Sequence, residues 1–169
     1  MDAAPEHDLR IDTTAADPQV ALLIRVLKLA SFVNLPMKEA VCDPAGIGAT
    51  EMKVMMALAG EGALAGHDLV GIMGVPAMNV SRALASMRER GWIEDASDPD
   101  NRRRKPVRLS GAGWELYNRM TPDVAALAES LVGKLTARQQ REFSAIADTL
   151  IDRMTDWIVS HHAEMKLPR

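Results

Sequence analysis

The stretch that decides the fold covers residues 69–110 and reads LVGIMGVPAMNVSRALASMRERGWIEDASDPDNRRRKPVRLS. Its pattern of apolar residues predicts a short helix, a turn at Gly74-Val75-Pro76, a second helix and a two-stranded hairpin. Four consecutive cations, residues 102–105, lie at the predicted hairpin tip. A helix followed by a basic hairpin is typical of modules that read duplex DNA, because an α-helix fits the major groove and cations contact phosphates.

The second helix is predicted over residues 76–91, between a proline and a glycine. Val80, Leu84 and Met87 follow one another at i, i+4 and i+7, which predicts one buried face. On the exposed side, asparagine and arginine could make bidentate contacts with adenine and guanine, and apolar side chains could contact a thymine methyl. The candidates for DNA contact on this helix are Ala77, Met78, Asn79, Ser81, Arg82 and Ser86.

The hairpin is predicted from a strand at residues 92–94, turn-forming residues at 95–101 and a second strand that contains Val107 and Leu109. Pro106 has no N–H to donate, which indicates an edge strand. Arginines at a hairpin tip can enter a narrow minor groove, while other cations bind phosphates. The candidates for these contacts are Arg102, Arg103, Arg104 and Lys105. The alternative is an ordinary solvated cluster of charges.

The segment before this stretch is predicted to be mainly helical. Asp17 and Pro18 begin a helix that is expected to end near Asn34, because Pro36 blocks its continuation. This helix is apolar most of the way round and needs cover on several sides, which predicts a partner chain. One helical turn and a loop at residues 43–46 follow. Thr50 is then expected to cap a helix at 51–58 that exits near Gly60, before the short helix at 67–73.

Two helices are predicted after the hairpin. Ser110 caps the first, and Thr121-Pro122 is expected to kink it, or to break it before a restart. Thr136 and Gln139 form a capping box at the start of the second. Apolar residues recur along that last helix at helical spacing: Phe143, Ile146, Ala147, Leu150, Met154 and Trp157.

Charge is distributed unevenly along the 169 residues. The formal net charge is −3, yet residues 78–108 hold eight basic and five acidic residues. Residues 1–17 hold five acids and one arginine, lack hydrophobic periodicity, and are expected to form a disordered tail. A local basic segment in an acidic chain is what a DNA-binding surface would produce.

The sequence gives no sign of catalytic or metal chemistry. A single cysteine, Cys42, excludes an internal disulfide and a multi-cysteine zinc site. Two adjacent pairs, His67-Asp68 and His161-His162, do not converge on one helical face as i, i+4 ligands would. We therefore expect no catalytic residues, no metal site and no cofactor. The most apolar stretch, residues 20–35, is interrupted by Arg25, Lys28 and Asn34, so we expect a poor membrane span and a cytoplasmic protein.

Three motifs in register give the chain a family resemblance. They are the turn and second helix (residues 69–93), the hairpin Asp98-Pro99-Asp100-Asn101-Arg102-Arg103, and the exit Val107-Arg108-Leu109-Ser110-Gly111-Ala112-Gly113. Over residues 17–157 the sequence resembles the multiple antibiotic resistance regulator (MarR) family, which are dimeric winged-helix transcription regulators. It departs from that family at Asn101, where an acid is usual, at Gly71, and at the apolar run Pro76-Ala77-Met78.

The resemblance implies a mostly α (α+β) fold: a winged helix-turn-helix DNA-binding lobe and an all-helical dimerisation region from the N- and C-terminal helices. Its boundaries would be a tail at 1–17, one domain at 18–160 (dimerisation helices 18–45 and 111–160, lobe 50–110) and a tail at 161–169. It implies a homodimer on a pseudopalindromic operator, with Arg103 at the wing tip. It also implies a pocket for a small effector, such as a phenolic or aromatic acid, for which the candidates are Arg25, Phe32, Met37 and Tyr117.

Other functions stay open at this point. A winged helix can also dock proteins, and Cys42 could act as a redox sensor. An enzyme is the third alternative, although no acid, base and nucleophile converge in the sequence.

Overall fold

The computed structural model describes residues 17–97 and 104–165, with side chains up to residue 161. The predicted acidic tail, apart from Asp17, and residues 98–103, which include Arg102 and Arg103 of the predicted hairpin tip, lie outside the described part of the chain. The described residues form two compact units, which divide between Pro36 and Met37.

The first unit contains helix α1, Pro18–Phe32. Asp17 caps it as predicted, since Oδ1 accepts the N–H of Gln19 (2.8 Å) and of Val20 (3.4 Å). The helix ends at Phe32. In a continuing helix the Phe32 carbonyl would accept the N–H of residue 36, and Pro36 has none. The predicted end near Asn34 is therefore correct to within two residues, but Pro36 does not stop helical structure. Pro36 lies in α2, Asn34–Met37. The N–H groups of a helix's first turn have no acceptor within the helix, so a proline there removes no hydrogen bond.

Helix α1 presents apolar side chains that the described residues leave exposed. Leu22, Leu23, Leu27, Leu29 and Phe32 are each more than half exposed. By length and composition alone, the helical run Pro18–Ala45 could cross a membrane, which goes against the prediction of a poor span. Either a membrane or a partner protein would satisfy this surface.

The second unit begins with a π-helical turn, Lys38–Cys42, and the short helix α3, Asp43–Ala45. Residues 43–45 are therefore helical rather than the predicted loop, and Gly46 ends them at φ +65°. Helix α4, Ala49–Glu61, begins before the predicted cap Thr50, because the Glu51 carboxylate accepts the Gly48 N–H at 2.6 Å. It ends at Gly62 rather than at Gly60.

Helices α5 (Gly66–Met73) and α6 (Ala77–Glu89) pack with α4 around the core of this unit. Met52, Met55 and Leu58 form the buried face of α4. Strands and the next helix complete the core, whose largest members include Met52, Met55, Leu58, Leu69, Val80, Met87, Ile93, Val107, Leu109, Leu116 and Met120.

The hairpin consists of β1, Ile93–Asp95, and β2, Val107–Leu109, in antiparallel register with Ile93 opposite Leu109. Both strands lie within a residue of their predicted places. The prediction of an edge strand was wrong at Val107, because its other side exchanges two backbone hydrogen bonds with Leu64, at 2.9 and 3.0 Å. Pro106 precedes the strand, where a missing N–H removes no ladder bond.

Two long helices follow, α7 (Gly111–Val132) and α8 (Ala137–Met165). The Ser110 hydroxyl caps α7 by accepting the Gly113 N–H at 3.1 Å, as predicted. The predicted interruption at Thr121-Pro122 was wrong if read as a break, because α7 continues through Pro122. Pro122 and Asn118, whose carbonyl loses its donor, are both exposed, so water can replace that bond. The Thr136–Gln139 capping box is present, and α8 runs into the residues assigned to a C-terminal tail.

Candidate nucleic-acid interface

A tight turn sets the direction of α6. Gly74 ends α5 in the left-handed region at φ +60°, a conformation that favours glycine. Pro76 is the cap of α6, and its carbonyl accepts the N–H of Asn79 (2.9 Å) and of Val80 (3.3 Å). This geometry confirms the predicted helix–turn–helix sequence of elements.

One face of α6 is buried and the opposite face is open. Val80, Ala83 and Met87 are buried, and Leu84 packs against the core. Successive residues turn by about 100°, so Met78, Arg82 and Ala85 lie opposite that buried face. We call these three residues the outer ridge; all are exposed.

The other α6 residues predicted to contact DNA lie on the two flanks of the outer ridge. Ala77, Ser81 and Arg88 line a groove of about 520 Å³ that α5 closes on its other side with residues that include Gly66 and Val70. Toward the first turn of α4 lies a shallower groove of about 360 Å³, lined on α6 by Asn79, Arg82 and Ser86. The predicted α6 residues therefore form one surface, with Ser86 half-buried.

The root of the hairpin is fixed to α5 by an ion pair that the sequence did not suggest. The Arg104 guanidinium donates to Asp68 Oδ2, which also accepts the Ala65 N–H at 2.8 Å. His67 Nε2 lies 3.2 Å from the other carboxylate oxygen. The hydrogen bond from Arg104 is the main cause that lowers the pKa of Asp68. The only sequence signal for this ion pair was Asp68 itself, an acid in the first turn of α5, where it can cap the helix.

Several other cations of the lobe already have partners. Arg88 pairs with Asp95 (2.9 Å) and Arg108 with Glu94 (2.8 Å). Arg90 donates to the Gly46 carbonyl at 2.8 Å and lies 4.7 Å from the centre of the Trp92 ring. Arg82 and Lys105 are exposed and form no ion pair with any residue that the structure describes. These two cations are the best placed for a phosphate or a base.

The remaining predicted wing residues, Arg102 and Arg103, lie outside the described part of the chain, as does Asn101. Their contacts stay predictions. Lys105 and Arg104 border a polar cavity of about 660 Å³ together with Arg88, Asp95 and Ser97.

The four candidate effector-binding residues belong to different units. In the first unit, Arg25 donates to the Ala21 carbonyl at 3.1 Å, and Phe32 lies under Lys28 Nζ at 5.2 Å. In the second, Met37 and Tyr117 are partly buried against the core. The three cavities described above are lined by other residues, and the effector site stays a prediction.

Cys42 has an environment that disfavours redox sensing. It is buried, its Sγ lies 3.5 Å from Met52 Sδ, and burial raises the pKa of the thiol. Reactive cysteines need a thiolate and access to oxidant. This environment therefore argues against Cys42 as a redox sensor.

The chain is similar to known proteins in sequence and in fold. A model of the MarR family matches residues 45–104. None of the curated proteins compared with the chain matches it. The fold is similar to that of a MarR/EmrR family regulator from Acinetobacter sp. ADP1, at 18% identity over 83% of this chain and 99% of that chain (TM-score 0.73).

Two other structures are similar to the chain. The PcaV transcriptional regulator from Streptomyces coelicolor, solved with its natural ligand, has 22% identity over 85% of this chain and 96% of that chain (TM-score 0.63). A mutant MarR from E. coli, complexed with operator DNA, has 19% identity over 78% and 95%, respectively (TM-score 0.65). At these identities the likeness concerns the fold, which is mostly helical with a two-stranded sheet.

Proposed function

We propose that the chain is a homodimeric transcription regulator of the MarR family, whose model matches residues 45–104. In this proposal the dimer binds a pseudopalindromic DNA operator, represses transcription, and is released by a small-molecule effector. It works in the cytoplasm and needs no cofactor.

The outer ridge of α6 is the observation that carries the DNA-binding proposal. Arg82 extends from it without an ion pair among the described residues, opposite the buried face of the helix. Guanidinium groups bind guanine O6 and N7 in the major groove. Lys105 at the hairpin root adds an exposed cation for the phosphate backbone.

Uncovered apolar helices support the dimer. On α8, Phe143, Ile146, Met154 and Trp157 are each at least 43% exposed. Their spacing confines them, together with Leu150 and Ile158, to an arc of about 120°. Arg25 and Lys28, inside the most apolar part of α1, favour a partner chain over a membrane for that helix. Two-fold symmetry would place two α6 helices about 34 Å apart, one turn of the duplex.

A selection experiment tests the DNA-binding proposal. The full chain would be used to enrich a duplex from a random pool, and its affinity for the enriched duplex would be measured over a range of salt. We expect an affinity for the enriched duplex at least about 1,000-fold above that for a scrambled duplex. Arg82→Ala should remove most of this preference, and Arg141→Ala, at an exposed arginine on α8, should not. Equal affinity for both duplexes at every salt concentration would contradict the proposal and favour a protein-docking module.

Effector binding requires a ligand that favours one of two dimer states. The PcaV structure contains a natural ligand, and this fold likeness supports a small-molecule site here. We propose that Arg25 pairs with an acidic effector and that Phe32, in the same unit, contacts its apolar part. A panel of aromatic acids should include one that weakens binding to the enriched duplex, and Arg25→Ala should abolish that response. A panel without effect on DNA affinity or melting temperature would count against this part.

A further inference from the structure

The first turn of α6 presents an apolar surface where the proposed function needs contact with base edges. Met78 is 63% exposed and lies on the outer ridge, with Ala77 and Pro76 beside it. On α5, Ile72 is 55% exposed. The earliest side chain of α6 that can make a strong hydrogen bond is Asn79, on the flank of the ridge. This turn therefore offers van der Waals contact where a polar reader would offer hydrogen bonds.

Only one apolar group projects from base edges into the major groove of unmodified DNA, the C5-methyl of thymine. A methionine side chain is unbranched and polarizable, and it adapts its shape to a small apolar group. If the outer ridge of α6 enters the groove, Met78 contacts base edges with a side chain that can neither donate nor accept a strong hydrogen bond. A thymine methyl is the partner that this chemistry fits.

Arg82 fixes where that thymine would lie. It is four residues further along the same ridge, about 6 Å along the helix axis. Stacked base pairs are about 3.4 Å apart. A guanine bound by Arg82 and a methyl covered by Met78 would thus be no more than about two base pairs apart.

We infer that Met78 is a specificity-determining residue that reads a thymine C5-methyl in each half-site, within two base pairs of a guanine read by Arg82. This inference rests on the proposed DNA-binding function and names the bases that the function recognises.

Replacement of single thymines by deoxyuridine tests the inference, since deoxyuridine lacks only the methyl group. The probe is the duplex enriched by the full chain, with symmetric replacements in its two half-sites. We expect one thymine position per half-site at which replacement weakens binding about four-fold per methyl, the factor expected for uncovering one such group. Met78→Ala should bind the thymine and deoxyuridine duplexes equally. Met56→Ala, at an exposed methionine of α4, should keep the full discrimination.

The outcomes separate the inference from the function. A specific duplex that tolerates deoxyuridine at every position would overturn the role of Met78 and leave the DNA-binding function intact. Undiminished discrimination in Met78→Ala would assign the methyl contact to another residue and also overturn it. A chain that enriches no duplex would overturn the proposed function, and the inference with it.

Discussion

Arg104 and Asp68, 36 positions apart in the chain, form an ion pair that joins the hairpin root to the first turn of α5. The same carboxylate oxygen accepts the Ala65 N–H, so one side chain both caps a helix and anchors the hairpin. Close to these residues in sequence, Leu64 and Val107 exchange backbone hydrogen bonds. The hairpin is thereby fixed relative to α5, which leads directly into the turn before α6.

Removing the charge of Asp68 should change how stability depends on pH. Its folded pKa is lowered from the ordinary 3.8, first by the hydrogen bond from Arg104, with the neighbouring His67 acting in the same direction. The carboxylate therefore stabilises the fold at pH values above 3.8, and this contribution is lost as pH falls through the lower folded value. Urea unfolding of Asp68→Asn should show a loss of about 1 kcal/mol at neutral pH and a flatter decline below pH 4. An unchanged acid decline would contradict the assignment.

Arg104 and Lys105 are adjacent cations for which we predict different effects. Lys105→Gln should lower affinity for the enriched duplex and reduce the salt slope by about 0.9, the value for one lost phosphate contact, with no change in melting temperature. Arg104→Gln should lower the melting temperature as well, because it also breaks the pair with Asp68. Titration calorimetry in several salt concentrations and thermal melts would separate the two. Matching behaviour of both variants would refute the anchoring role.

We predict that a side chain at position 113 would destabilise the fold, because there is no room for a Cβ atom at Gly113. A Cβ there would lie 2.0 Å from the Trp92 carbonyl oxygen, an atom that already accepts the Ser110 N–H. Gly113→Ala forces backbone to move and should cost about 1–3 kcal/mol of unfolding free energy. Gly111 has no atom within 4 Å of such a Cβ, so Gly111→Ala serves as the control and should be neutral or slightly stabilising. Equal melting temperatures for the two variants would be the contrary result.

The apolar arc of α8 should control assembly. Ile146 is 56% exposed within that arc, and Ile146→Asp should shift sedimentation from dimer toward monomer, because it would bury a charge at the interface. Ala145, exposed on the polar side of the same helix, provides the matched control Ala145→Asp. Dimers that persist in Ile146→Asp at micromolar concentration would place the interface elsewhere.

Local signals predicted several helix starts and the buried face of α6. Asp17, Ser110 and the Thr136–Gln139 box mark helix starts because a capping side chain acts within three residues of itself. The spacing of Val80 and Met87 likewise determines which face of α6 is buried. For the same reason the α6 candidates for DNA contact were found together on one surface.

The errors came from proline and from contacts distant in sequence. Pro36 and Pro122 were expected to stop or break helices, but each lies where a missing N–H leaves no buried carbonyl unsatisfied. The second partner of Val107 and the anchor of Arg104 depend on residues about 40 positions away, and no periodicity in either segment encodes that pairing. Arg104 was predicted to meet phosphate on charge alone, whereas in the free chain Asp68 engages it.

Arg82 is the residue on which the proposed DNA recognition depends most, because it extends from the outer ridge of α6. The direct measurement is the ratio of affinities for the enriched and the scrambled duplex, at physiological salt, for the wild-type chain and for Arg82→Ala. We predict at least about a 1,000-fold ratio for the wild type and a reduction of about 10-fold or more in the variant, equivalent to one lost bidentate contact, at an unchanged melting temperature. A wild-type ratio near one, or a variant that keeps the full ratio, would contradict the account.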